Sequence, residues 1–258
     1  MNVYGLTDRG LVREANEDCI GITCLKNGIT IAIVCDGMGG AAGGKIASAI
    51  AEEAFTRSMI EVSDELVKSK FDRKKVKQAI KESIEKANAA ILARAREDLS
   101  LFGMGCTLNA VVFCEPKSTL YYANVGDSRL YMIKKREIKQ LTKDHSYVQM
   151  LVDNKEITAK EAETHPQRNL ITKALGIKEE IEPDIFDRRI YPKAEVYFLL
   201  CSDGLHGLVS KEVLKKVALS PMSIEEKVIN YITLANKAGG YDNISAILLS
   251  TKETEVAK

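Results

Sequence analysis

Three features of the 258-residue sequence predict an α+β fold of two packed sheets with helices outside. Strand-like runs concentrate toward both ends of the chain, two long helical segments follow the third run, and a second helix pair comes late. Regular alternation of strand and helix, the mark of a parallel sheet, is missing. Apolar or alternating runs bounded by turn residues give strands near 3–8, 18–24 and 29–35. Helical periodicity takes over at 45–62 and 72–99, where Val76, Ile80, Ile84, Ala87 and Ile91 line one face and Asp72 stands as N-cap. Strands resume near 105–114, 119–126 and 129–134. The polar stretch 145–180, containing HPQRNLITKALG, interrupts them and reads as an inserted flap. A strand near 196–202, helices over 211–219 and 223–237, and a strand near 243–250 complete the chain. Ser223 with Glu226 three residues on has capping-box spacing. The expectation is a single domain over 1–251 with a frayed tail at 252–258.

Composition narrows the function. With 37 basic and 36 acidic residues, the net charge of +1 supplies no field that would gather nucleic acid or an anionic membrane. No apolar run reaches the roughly 18 residues that a membrane span needs, and MNVYGLTDRG lacks the parts of a secretion signal. A soluble, cytoplasmic protein is therefore expected, and separately a monomer. Cys19, Cys24, Cys35, Cys106, Cys114 and Cys201 form no CxxC pair and mostly sit in apolar segments, as reduced, packed thiols do.

The informative residues are acids at strand ends. ITIAIV runs through Cys35 into Asp36 and Gly37, and VYFLL runs through Cys201 and Ser202 into Asp203 and Gly204. Asp-Gly is ordinary turn chemistry, so one such pair carries little. Yet Asn16, Glu17 and Asp18 precede CIGIT, Asp127 lies in NVGDSR after LYYA, and Asp242 lies in GGYDN before ISAILL. If those strand ends converge, the carboxylates repel one another and raise their own pKa values unless cations neutralise them. Oxygen ligands without cysteine or histidine select hard ions, magnesium or manganese, and disfavour zinc. An EF-hand loop is absent from the sequence. Two such ions sharing a water would support hydrolysis at phosphorus or carbonyl, and the GMGG run at 37–40 permits close backbone approach to an ion or phosphate.

These motifs resemble the metal-dependent type-2C protein phosphatases (PPM class), the bacterial members especially: TDRGLVREANED at 7–18, VCDGMGG at 34–40, GCTLNAVVF at 105–113, ANVGDSRLY at 123–131, TKDHS at 142–146, LLCSDGL at 199–205 and GGYDNIS at 239–245. The resemblance implies a four-layer α-β-β-α sandwich, two antiparallel sheets flanked by helix pairs. It implies that Asp36 bridges two metals, that Asp203 and Asp242 hold the first, and that Glu17 with the Gly37 carbonyl holds the second. Asp18 would act through waters, and Asp127 would join Asp203 around a third, weaker ion. Arg13 corresponds to the phosphate-binding arginine, a task that suits a planar guanidinium. Asn243 either orients Asp242 and its waters or caps the last strand.

The implied activity is hydrolysis of phosphoserine and phosphothreonine in proteins by direct attack of a dimetal-bridging hydroxide. The implied partners are phosphorylated proteins, including a cognate serine/threonine kinase. A pseudophosphatase binding module and a phosphatase of small phosphometabolites are the rivals. Met38 stands where some members carry histidine and cannot donate a proton to the leaving oxygen, so a metal-bound water or another side chain would. His145 in TKDHS is either that acid or structural, and His165 and His206 give no stronger signal. Arg168 either reaches the phosphopeptide from the flap or belongs to plain scaffold. Cys106 replaces the serine or threonine of many relatives as a packing residue.

Overall fold

Alternation along the strands decides how the layers stack. In ITIAIVC, Ile29, Ile31, Ile33 and Cys35 face one way and pack on helices, while Ala32 and Val34 face the other way onto a second sheet. The period of two leaves no third option for a strand buried on both sides. In a computed structural model, which describes residues 1–39, 43–191 and 195–251, the chain runs β1 (Asn2–Asp8), β2 (Cys19–Cys24), β3 (Ile29–Cys35), β4 (Gly37–Met38), α1 (Gly43–Lys68), α2 (Arg73–Glu97), β5 (Gly105–Cys106), β6 (Leu108–Cys114), β7 (Thr119–Val125) and β8 (Arg129–Lys134). It continues through β9 (Glu137–Gln140), α3 (Tyr147–Asp153), α4 (Ala159–Thr164), β10 (Asp184–Arg189), β11 (Tyr197–Cys201), α5 (Asp203–His206), α6 (Lys211–Ala218), α7 (Ile224–Lys237) and β12 (Ile244–Ser250). Gly40 of the GMGG run and the tail 252–258 lie outside the described residues.

Two five-stranded antiparallel sheets, ordered β1-β12-β11-β8-β9 and β10-β7-β6-β3-β2, stack face to face. Val34, Val111, Leu130, Phe198, Ile247 and Leu249 fill the space between them. On the outer face of one sheet, Phe55 and Met59 of α1 and Ile80, Ile84 and Ile91 of α2 cover Ile31, Ile33 and Val112. On the other, Leu214 of α6 and Val228 and Tyr231 of α7 cover Leu199, Ala246 and Leu248. The result is the four-layer sandwich expected. Burial of each such side chain favours the fold by roughly 1.5–3 kcal/mol. No helix among the described residues is long and apolar enough to cross a membrane.

Both predicted caps form. Asp72 accepts from the backbone N–H groups of Lys74 and Lys75 at 3.0 Å each, and Ser223 with Glu226 closes a capping box. Helix α1 extends the predicted segment at both ends, and the strand predicted over 105–114 is interrupted at Thr107. There the Thr107 N–H donates to the Asp36 carbonyl at 2.8 Å instead of continuing the ladder, so Cys106 pairs with Gly37 in a separate ribbon. Strands β9 and β10 escaped prediction. Each is a half-exposed edge strand, and DIFDRR has too many charges to read as sheet until its pairing with β7 is known. The flap stretch carries α3 and α4, bridged back by Ser146 to Ile171 and by Cys106 to Leu175.

Register puts the acids at one end of the sandwich. Asp8 opposes Ile244, Cys19 opposes Cys35, Leu108 opposes Val125, and Cys201 opposes Ala246. The chain segments entering or leaving those four pairs carry Glu17, Asp18, Asp36, Asp127, Asp203 and Asp242.

Candidate metal centre

Asp36 leaves β3 with its backbone clamped. Its N–H donates to Thr107 Oγ1 at 3.0 Å and its carbonyl accepts from the Thr107 N–H, so the side chain has one direction to take. Desolvation, then repulsion from Asp18, Asp203, Asp127 and Asp242, raises its pKa well above the carboxylate range. Asp203 begins α5 one residue after the β11 strand end, and its carboxyl lies beside that of Asp36. Burial and the Asp242 charge push Asp203 up to about 6, against the opposing pull of Arg13. Gly37 follows Asp36 because nothing larger fits: a β-carbon would be driven into the carbonyls of Gly44 and Glu17.

Asp18 is buried. Its Oδ2 accepts from Ser202 Oγ at 2.8 Å and Ser245 Oγ at 2.6 Å, whereas its Oδ1 is buried without a hydrogen-bond partner. Desolvation pushes its pKa up to about 7 although both hydroxyls favour the anion. Asp127, in the turn between β7 and β8, is likewise raised to about 7 by burial, then by Asp203 and Asp144. Beneath that turn, Asp144 binds Arg129 through Nε and Nη2 at 3.0 and 2.6 Å and accepts from Gln140 at 2.8 Å.

Arg13, Glu17 and Asp242 come from opposite ends of the chain. Arg13 Nη2 lies 2.8 Å from Asp242 Oδ2, with the arginine side chain 52% exposed, and its pKa is raised chiefly by that hydrogen bond. Asn243 joins the two ends. Its Nδ2 donates to the carbonyls of Arg9 and Ala15 at 2.8 and 2.9 Å, and its Oδ1 accepts from the Glu17 N–H at 2.8 Å. Its backbone N–H donates to Asp242 Oδ1 at 2.8 Å, one of the two roles expected, and its side chain adds this clamp on the segment that carries Arg13 and Glu17. The Glu17 carbonyl in turn accepts from Ser48 Oγ of α1 at 2.6 Å.

The donor set fits hard divalent ions. Four carboxylates, those of Asp18, Asp36, Asp127 and Asp203, resist ionisation chiefly because they are buried and further because each faces others of the set, and the orphaned Asp18 Oδ1 lacks a cation or proton donor. Among the described residues, no three acidic, histidine or cysteine side chains converge tightly enough to enclose an ion alone.

The remaining candidates lie elsewhere or are engaged. His145 Nδ1 accepts from the Gly126 N–H at 3.1 Å and its Nε2 faces Asp184 at 3.3 Å, which leaves no ring nitrogen for a leaving group. His206 Nε2 donates to the Asp127 carbonyl at 3.1 Å. His165 caps α4 and packs against Tyr147, and Arg168 is exposed in the flap. Met38 lies in β4 opposite Gly105, and buried Cys106 makes a weak hydrogen bond to the Ala47 carbonyl. Ser202 and Ser245 escaped a functional reading. Their only signal was adjacency to the acidic motifs.

The sequence matches the protein phosphatase 2C family over residues 12–237, and the chain belongs to that family. It is 36% identical over 244 residues to the serine/threonine phosphatase stp of Listeria welshimeri, covering 94% of this chain and 93% of the relative. The Mycobacterium tuberculosis serine/threonine phosphatase PstP/Ppp superposes with a TM-score of 0.82 at 33% identity, over 96% of this chain and 97% of the other. A PstP catalytic domain solved with two manganese ions superposes with a TM-score of 0.78 at 32% identity, over 96% of both chains.

Proposed function

We propose that this chain is a metal-dependent phosphatase of phosphoserine and phosphothreonine in proteins. One observation carries the reading: strand register brings Glu17, Asp18, Asp36, Asp127, Asp203 and Asp242, distant in sequence, to one end of the sandwich, where Asp18 Oδ1 is buried without a hydrogen-bond partner. Asp36 would lie between two ions, with Asp203 and Asp242 on one and Glu17 with the Gly37 carbonyl on the other. Asp18 would act through waters, and Asp127 with Asp203 would hold a third, weaker ion. When bound, such ions supply Lewis acidity and acidify a water for attack on phosphorus.

The chain's own residues bind and orient. Arg13, half exposed while anchored on Asp242, presents its guanidinium to two phosphate oxygens. Asn243 fixes the loop on which Arg13 and Glu17 ride, so the phosphate and the acid cluster keep one spacing. Met38 has no proton to give the departing oxygen and both ring nitrogens of His145 are engaged, so a bound water or another side chain would supply that proton. Manganese or magnesium would serve. The substrates would be cytoplasmic phosphoproteins, a serine/threonine kinase and its targets among them, met by a monomer.

Hydrolysis of p-nitrophenyl phosphate with manganese, and its loss on chelation, tests the reaction. A chain without metal-dependent turnover at high enzyme concentration would be a binding module. Preference for sugar phosphates over a phosphothreonine peptide would transfer the proposal to small phosphometabolites. Asp36→Asn should remove nearly all turnover while the fold survives.

A further inference from the structure

The turn that carries Asp127 is pinned by side chains from outside it. Gly126 holds a left-handed φ of +104°, and the Asp127 carboxyl faces the repulsion of Asp203 and Asp144 in a buried setting. Two imidazoles from different parts of the chain grip its backbone. His145, at the base of the flap, accepts the Gly126 N–H on its ring Nδ1 at 3.1 Å, while its backbone N–H separately donates to the Gly126 carbonyl at 2.9 Å, so the residue holds both polar atoms of Gly126 and the imidazole one of them. Its Nε2 rests on Asp184 Oδ2 at 3.3 Å, and because Nδ1 accepts, Nε2 carries the proton. His206, from α5 three residues beyond Asp203, donates Nε2–H to the next carbonyl, that of Asp127, at 3.1 Å. The Asn124 side chain adds a bond to the Gly126 carbonyl at 3.0 Å.

We infer that His145 and His206 are positioning residues that hold the Asp127 carboxylate at the acid cluster and so set the affinity of the weakest bound divalent ion. The inference rests on the proposal that Asp127 and Asp203 share that ion. Neither imidazole touches ion or substrate. Each acts through the backbone of one residue, and each uses a particular nitrogen, which gives the inference a signature that packing alone would not produce. Asparagine at 145 can place an oxygen near the Nδ1 position to accept the Gly126 N–H, whereas glutamine at 206 can place an amide donor near the Nε2 position.

Calorimetric titration of manganese into the chelator-treated full chain is the test, with thermal unfolding confirming that each variant is folded. Asp127→Asn should abolish the weakest binding event. His145→Leu and His206→Leu should weaken that same event by roughly 10- to 100-fold, the scale of lost support around a ligand, and leave the tighter events unchanged. His145→Asn and His206→Gln should restore it, and the exchanged pair, His145→Gln and His206→Asn, should not. If the leucine variants bind the weakest ion as the parent does while Asp127→Asn loses it, the third-ion proposal stands and the histidine inference falls. Equal weakening of every event would make the imidazoles general scaffold and also overturn it. Unchanged binding in Asp127→Asn would remove the underlying proposal and this inference together. Should a leucine variant not fold, the contrast between asparagine and glutamine at each position decides.

Discussion

Stripping the metal should invert the ordinary pH dependence of stability. In the metal-free chain the Asp18 carboxyl is pushed from 3.8 to about 7, so the folded state holds a proton that the unfolded state has released. A raised carboxyl pKa contributes stability that is complete below about pH 4 and is lost as pH rises through about 7. The displacement of about three pH units corresponds to roughly 4 kcal/mol for Asp18 alone. Asp127 and Asp203, raised to about 7 and about 6, act in the same direction, but coupling prevents simple addition. For a chain of this size, roughly 4 kcal/mol lowers Tm by on the order of 10 °C. Differential scanning calorimetry of chelator-treated protein from pH 4 to pH 8 would measure the fall. Saturating manganese should reverse the slope, since ions bind the deprotonated set, and at 100 times Kd each site adds about 2.7 kcal/mol. Asp18→Asn, which cannot ionise but still accepts from Ser202 and Ser245, should flatten the metal-free profile. Equal Tm values at pH 4 and pH 8 without metal, or an undiminished slope in Asp18→Asn, would refute the electrostatic reasoning.

Asn243→Ala strips partners from the Glu17 N–H and from two carbonyls, at a cost of about 1–3 kcal/mol for each group left without one, and hydrogen exchange over 9–17 should quicken. Asn243→Asp should be worse than alanine, because its oxygens would face the carbonyls of Arg9 and Ala15; a more stable aspartate variant in urea unfolding would contradict the clamp. Arg13→Ala should raise KM for a phosphothreonine peptide by roughly 10-fold or more, the loss expected of a charged hydrogen-bonded pair, and unaltered KM and kcat would refute the assignment. Gly37→Ala should weaken manganese binding measured calorimetrically, as the methyl displaces the Gly44 and Glu17 carbonyls.

Local rules made much of this chain legible. The alternation of ITIAIVC, the four- and three-residue steps from Val76 to Ile91, and the caps at Asp72 and Ser223 depend on neighbours within a turn or two of chain, and all appear in the structure. The acids at strand ends were visible for the same reason, since a carboxylate after an apolar run is a local anomaly. What sequence left open is contact between remote segments. Edge strand β10 depends on β7, and the break at Thr107 depends on Asp36, 71 residues away. Asp18 meets Ser202 and Ser245 across separations of 184 and 227 residues, and Asn243 reaches back 226 to Glu17. Serine, asparagine and histidine carry no periodic signature, because a single hydrogen bond at a strand end repeats nowhere. The sequence by itself therefore determined the layers and the identity of the acids. Tertiary structure alone decided which hydroxyl, amide or imidazole holds each acid, since closing the sandwich brings those donors within hydrogen-bond reach.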